Sequence, residues 1–390
     1  MKAIFQAMDL QKVLKDVVRI IPSTAKTNVQ KFVRITADKA ESQVEFVTSS
    51  ADVSIRRTMF ELTSQSPLAI LESGVCLLPA RELLEIAKRA TDKLELTLAK
   101  GKVTLKFGTA KFVLNGLDPR EFSPYQNTEE TSRIEMDALA LRGLLAQTTY
   151  ACAVSETRPV LTGVHFTIAD NAIHAMATDG LRLAMAVAAG SAEWEQSHSL
   201  TIPKAPLESM LAMLPKDDDE VVELEIGSTV MVATWGDGET SLVMRGFSEA
   251  YPDTSRIVPA STQSQIRVAR GSMLEALERL EMLCVSNNRQ IHVDFRNTYM
   301  DLSVSSAEGS GQDTVEIAAN TQEIQPMFFN VRFLLDVLKA VDAEEIEFGI
   351  NGQNAPVLVN PVGGTGQALI SPIMYTATAV PRETAVEKTA

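Results

Sequence analysis

The sequence predicts an α+β fold of three similar domains, each combining two helices with antiparallel sheets. Three observations carry this expectation. One order of elements recurs three times with a period of roughly 130 residues. Each copy opens with apolar residues at helical spacing. Each copy closes with strands of strict period two, joined through glycine- or asparagine-containing turns.

The opening helices carry Leu10, Val13, Leu14 and Val17 in the first copy, Leu141, Leu144 and Leu145 in the second, and Leu274, Leu277 and Leu280 in the third. These i, i+3, i+4 and i+7 spacings place the apolar groups on one face. A polar loop with a basic residue follows each helix: Ala25-Lys26-Thr27, Thr157-Arg158-Pro159 and Asn288-Arg289-Gln290. Each loop feeds an alternating strand. Second helices are predicted over 80–90, 204–214 and 331–341. The strands Leu94–Leu98, Val222–Ile226 and Ile346–Ile350 come next, continuing through turns at Gly101-Lys102, Gly227-Ser228 and Asn351-Gly352. Short polar crossovers at Asn127–Arg133 and Pro259–Gln265 set the boundaries. The expected domains are 1–128, 129–259 and 260–375. Residues 376–390 are polar and aperiodic and read as a disordered tail.

Bulk composition narrows the function classes. The chain has 390 residues, 45% hydrophobic and 22% charged, with a formal charge of −14. No apolar run approaches the roughly 20 residues that span a bilayer. Asp9 interrupts the N-terminal stretch before a signal-peptide core can form, so a cytoplasmic chain is expected. The three cysteines Cys76, Cys152 and Cys284 read as reduced thiols. The acidic balance argues against a generally basic nucleic-acid binder, although only local charge decides phosphate contact.

Catalytic signatures are lacking. There is no GxxxxGK[ST], no GxSxG and no HExxH. Gly363-Gly364-Thr365-Gly366 lies between two strands and reads as a hairpin turn. His165, His174, His198 and His292 stand apart without paired-ligand spacing. The expectation is a protein that is not an enzyme and holds no cofactor or metal.

The most distinctive stretch is 155–184. Arg158-Pro159 opens a strand alternating through Val160, Val164 and Phe166; Asp170-Asn171 makes a turn; the return strand runs into Thr178-Asp179-Gly180, after which Leu181 and Leu183 bracket Arg182. This reads as a hairpin presenting an apolar patch rimmed by one arginine, beside a loop carrying another.

Ser155-Glu156-Thr157-Arg158-Pro159-Val160-Leu161-Thr162-Gly163, paired with Ala177-Thr178-Asp179-Gly180-Leu181-Arg182-Leu183-Ala184 within a triple repeat, resembles the bacterial sliding clamp family, the beta subunit of DNA polymerase III. Phe247–Asp253 and Asn330-Val331-Arg332-Phe333 agree with it, and the resemblance covers residues 1 to about 375. It implies the DNA clamp fold. It also implies a head-to-tail homodimer whose six domains form a ring around duplex DNA, tethering the replicative polymerase and loaded by a clamp loader ATPase. Helices would line the hole. The six predicted helices carry +2 in total, so they are less acidic than the remaining chain.

Carried over position by position, the DNA-touching loop residues fall on Lys26, Ser155 and Arg158, and the internal repeat extends the set to Arg289. The subunit contact falls on Phe112 against Cys284 and Val285. The pocket for partner peptides falls on Leu161, Thr178, Gly180, Leu181, Arg182, Leu183, Pro252, Arg256 and Ile257. From the third repeat it takes Asn330, Phe333, Ala343, Leu369, Ser371, Pro372, Ile373 and Met374. Leu181 stands where the family usually has His, and the chain runs 15 residues beyond Tyr375, where the family normally stops. These departures keep a second reading open: a divergent clamp paralogue serving repair or a mobile-element polymerase.

Overall fold

The structure is a computed structural model and describes residues 1–22, 29–61, 68–123, 131–193, 199–217, 219–284, 289–318 and 323–374. Lys26, Val285 and the expected tail 376–390 lie outside the described residues. Among those described are six α-helices: α1 (Ala7–Arg19), α2 (Ala80–Ala87), α3 (Ala138–Thr149), α4 (Lys204–Met213), α5 (Arg270–Glu281) and α6 (Val331–Ala340). Each predicted helix forms within a few residues of its expected bounds. The chain divides into two compact units, one of residues 1–177 and 187–251, the other of 178–186 and 252–390.

In the first unit, α1 buries Ala7, Leu10, Val13, Leu14 and Val17. It stops before Pro22, which can neither donate a backbone hydrogen bond nor continue the turn. Its end is held from α2, where Arg81 donates to the Ile21 carbonyl at 3.2 Å, and Gln11 of α1 donates to the Ala87 carbonyl at 2.9 Å. Asp137 caps α3 by accepting from the Leu139 and Ala140 amides. Arg142 then caps α4 through the Leu211 and Leu214 carbonyls at 2.7 and 3.0 Å. Orphaned carbonyls of one helix are thus satisfied by a side chain of its neighbour.

Two sheets organise this unit. A five-stranded sheet runs Leu68–Glu72, Lys2–Gln6, Lys93–Ala99, Lys102–Phe107, Ala110–Asn115. A nine-stranded sheet joins the first and second repeats, because Thr240–Arg245 pairs antiparallel with Val53–Phe60, from Thr240↔Arg57 to Met244↔Val53. At this junction the buried Arg57 guanidinium meets Asp16 of α1 at 3.3 Å and also contacts Thr240. Burial raises the Asp16 carboxyl above its ordinary range even with Arg57 beside it.

Gly163–Ala169 and Ala172–Thr178 form the predicted hairpin, and Asp170 and Asn171 both take positive φ, 52° and 57°. That is the left-handed pair a two-residue hairpin turn demands. The strand does not begin at Val160, however. Pro159–Thr162 is a 3-10 turn, with Thr162 Oγ1 donating to the Pro159 carbonyl at 2.7 Å. Proline presets the φ of a first helical position, so Val160 is buried from a turn while its even spacing to Val164 and Phe166 mimics strand alternation.

In the second unit, Arg182–Ala189 pairs through its first residues with Gln367–Ile370, which continues to Val357–Pro361, Glu345–Ile350 and Ser264–Ala269. A separate four-stranded sheet runs Gly309–Glu316, Tyr299–Ser306, Gln290–Phe295, Met327–Asn330. The glycine cluster 363–366 is a hairpin connection, with Gly363 at φ 75° and Gly366 at 92°. Asn330 caps α6 by accepting from the Arg332 amide at 3.0 Å, and Arg270 holds its far end through the Leu338 and Ala343 carbonyls.

Candidate functional site

The turn before Arg182 is built by two side chains. Thr178 Oγ1 donates to the Arg182 carbonyl and accepts from the Gly180 amide at 3.1 Å. Asp179 Oδ1 accepts from the Leu181 and Arg182 amides at 2.9 and 3.0 Å. Gly180 at φ 88° supplies the left-handed residue such a turn needs. The turn lifts Leu181 off the sheet, 58% exposed, before the strand begins.

Arg182 is not a rim residue. Its side chain is only 10% exposed, with Nε donating to Asp179 at 2.9 Å and a terminal nitrogen to Asp336 of α6 at 2.6 Å. Its guanidinium lies 4.4 Å from the Phe333 ring centroid. One arginine therefore ties the turn to α6. The predicted picture of an arginine on the edge of the patch is corrected accordingly. A guanidinium with carboxylate partners and an aromatic face is well suited to burial.

The segment 371–374 lies beside this turn. The Ser371 amide donates to the Leu181 carbonyl at 2.9 Å, and the Ile373 amide to the Phe328 carbonyl at 2.7 Å. Thr178–Leu183, Phe333 and Leu369–Met374 are thus brought together within the second unit. Leu183 and Leu369 are register partners, 3% and 2% exposed, and belong to the core. Open apolar surface belongs to Leu181, Ile257 (51% exposed) and Met374 (73%). Pro252, Arg256 and Ile257 lie exposed on a loop of the same unit. Ala343 gives its carbonyl to Arg270, and Leu161, in the first unit, is buried.

Asp179, Asp336 and Phe328 complete this arrangement, and of these Asp336 and Phe328 do not stand out in the sequence. Asp179 was visible as the Asx position of the Thr-Asp-Gly turn. Asp336 is 154 residues from Arg182 and left no local signal.

The other surfaces lie elsewhere. Ser155 and Arg158 are exposed on the loop after α3, where Ser155 Oγ is 2.8 Å from Thr157 Oγ1. Arg289 is exposed, and its carbonyl accepts from the Val331 amide. Phe112 is 39% exposed on the edge strand Ala110–Asn115 and stacks on Phe107 at 5.6 Å. Cys284 is half-buried just after α5, its thiol pKa raised by burial and by Glu281. No helix among the described residues is long and apolar enough to cross a membrane.

Three family models cover almost the whole chain in order: DNA polymerase III beta subunit, N-terminal domain over 1–126, central domain over 135–253 and C-terminal domain over 255–373. The chain belongs to this family. A beta sliding clamp of Staphylococcus epidermidis is 28% identical over 357 residues, 89% of this chain and 92% of that one. One of Synechococcus elongatus is 28% identical over 372 residues, 93% and 96% of the two chains. The crystal structure of the DNA polymerase sliding clamp from Bacillus subtilis superposes with a TM-score of 0.90 at 26% identity, covering 96% of this chain and all of that one. The three-domain clamp fold of the family, with six helices and antiparallel sheets, is that of this chain.

Proposed function

We propose that this chain acts as a DNA sliding clamp, a non-catalytic ring of two copies that encircles duplex DNA and tethers a replicative polymerase. The observation that carries the reading is the succession of three beta-subunit domains along one chain, 1–126, 135–253 and 255–373. The expected boundaries 1–128, 129–259 and 260–375 belong to the same proposal.

Two open sheet edges support self-association. Ala110–Asn115 ends the five-stranded sheet of the first unit, and Gly309–Glu316 ends the four-stranded sheet of the second. Such edges invite pairing with another chain. Lys102, Lys106 and Lys111 accompany the first edge, and Glu308, Asp313 and Glu316 the second. Opposite charge on different edges suits a head-to-tail contact, which closes when the rotation allows. Phe112, Cys284 and Val285 would form its apolar part. Ser155, Arg158, Arg289 and Lys26 would touch phosphates weakly and without base readout, as sliding requires. The surface around Leu181, Ile257 and Met374 would take short apolar peptides of the polymerase, the clamp loader and other partners. Exposed Leu181 at a position where the family usually has His favours, as a second reading, a paralogue with shifted partner choice. Action in the cytoplasm follows from the same reading.

The test is retention. After loading by a clamp loader ATPase, closed circular duplex should hold the protein through a gel-filtration column, and linearising the circle should release it. Equal retention on both forms refutes the ring.

A further inference from the structure

The first helix of each repeat starts directly after a strand, at Ala7, Ala138 and Arg270. The buried sets then coincide: Leu10, Val13, Leu14 and Val17 of α1 match Leu141, Leu144, Leu145 and Thr148 of α3, and Met273, Ala276, Leu277 and Leu280 of α5. This common register fixes the outward positions as well. Lys12, Lys15 and Arg19 of α1 correspond to Gly143, Ala146 and Tyr150, and to Glu275, Glu278 and Met282. One outward stripe therefore changes from three bases, to no charge, to two acids.

Neighbours sharpen the contrast. Lys12, Lys15 and Arg19 are exposed, and none forms an ion pair with an acid among the described residues. Asp16, the acid between them, is engaged by Arg57 at 3.3 Å. On α5 and α6 three bases are already held by acids: Lys339 by Glu278 at 2.9 Å, Arg332 by Glu281 at 3.0 Å and Arg279 by Asp313 at 2.8 Å. Lys12 to Arg19 spans about 10 Å along the helix at 1.5 Å per residue. A duplex presents one phosphate per about 1.7 Å of its axis, so several fall within reach of the stripe.

We propose that phosphate contact in this protein is polarised: the α1 stripe Lys12–Lys15–Arg19 holds the duplex backbone, while α5 and α6, neutralised by their own acids, do not. The inference rests on the clamp reading and adds which helices carry the contact. Among the helices it predicts backbone contact concentrated on the first domain of each copy, beside the weak loop contacts of Lys26, Ser155, Arg158 and Arg289.

The experiment is a salt series of fluorescence anisotropy titrations of the full-length protein with a short linear duplex at low ionic strength. Lys12→Ala/Lys15→Ala/Arg19→Ala should weaken binding at least tenfold. It should also flatten the slope of log affinity against log salt by roughly 0.9 for each phosphate no longer neutralised. Lys39→Ala/Lys93→Ala/Lys216→Ala, an equal change of charge at other exposed sites, should leave the slope as it was. So should the charge-neutral set Glu278→Gln/Lys339→Gln/Glu281→Gln/Arg332→Gln. An unchanged slope in the α1 variant, an equal weakening in either control, or no measurable wild-type binding overturns the proposal. Should the triple α1 variant melt early, the three single variants are read instead. Retention of the loaded wild type on circles separates the two ideas: retention with an insensitive α1 stripe sinks only the polarity, and failure of retention sinks the clamp.

Discussion

Arg182→Ala removes a side chain that joins the Thr178–Gly180 turn to α6. The Asp179 contact joins side chains only 10% and 16% exposed, so it counts as a buried charge-assisted bond worth about 1.5–3 kcal/mol. The Asp336 contact is shorter, but its carboxylate is 40% exposed, and solvent screening limits it to under about 1 kcal/mol. The Phe333 stacking adds about 0.5–1 kcal/mol. The total is roughly 3 kcal/mol, which is about a hundredfold in a local opening equilibrium. Because the Ser371 amide bonds to Leu181, the effect should spread to segment 371–374. Native-state hydrogen exchange reads this directly: the amides of Ser371 and Ile373 should exchange about a hundredfold faster in the variant. Arg182→Lys should recover only part of the protection, since a point charge cannot serve two carboxylates and an aromatic face together. Unchanged exchange at Ser371 and Ile373 in Arg182→Ala would refute the idea that this arginine holds the site together.

Phe112→Arg places a charge on the apolar edge proposed to meet a second copy; sedimentation equilibrium at micromolar concentration should find the wild type near twice 42.4 kDa and the variant near 42.4 kDa. Leu181→His replaces an exposed apolar group by a titratable one; a partner peptide with an aliphatic contact there should lose roughly 1 kcal/mol or less by calorimetric titration, and equal binding of both proteins means the position is neutral. Acidification should destabilise the fold through His165, whose pKa is lowered from 6.5 by burial against Tyr251. The folded protein then binds fewer protons than the unfolded chain, so this contribution is complete above pH 6.5 and is lost as pH falls through the lower folded-state value. His165→Phe should flatten the decline of melting temperature over that window.

What the sequence revealed and what it concealed divide along a physical line. Features decided by neighbours in the chain were legible. The apolar spacing of α1, α3 and α5, the Asp170-Asn171 turn and the glycine hairpin at 363–366 each follow from local sterics and periodicity. Val160 departs from its expected strand for a local reason as well: a 3-10 turn opened by Pro159 buries it at the same parity as the following strand. Features decided by remote partners were not legible. Arg182 looks like a surface arginine until Asp336 arrives from 154 residues away. Leu183 and Leu369 look like pocket walls until strand pairing seals them against each other.

The repeat itself is the exception that turns remote information into local. Because three helices share one buried register, each outward residue can be compared with its two counterparts, and a difference in charge becomes meaningful without any partner present. A single exposed lysine is ordinary solvated surface. Three bases on α1, matched by Gly143, Ala146 and Tyr150 in one counterpart and Glu275, Glu278 and Met282 in the other, occupy the same positions of a first helix that follows a strand. Fold requirements alone do not distinguish the three stripes, so the difference in charge is available to the proposed phosphate contact. In a clamp whose contacts with duplex must be weak enough to slide, the proposed arrangement, with outward bases on α1 unpaired among the described residues and the bases Arg279, Arg332 and Lys339 of α5 and α6 held by acids, would limit the number of phosphates engaged at once. A lower phosphate count lowers affinity and its salt dependence together.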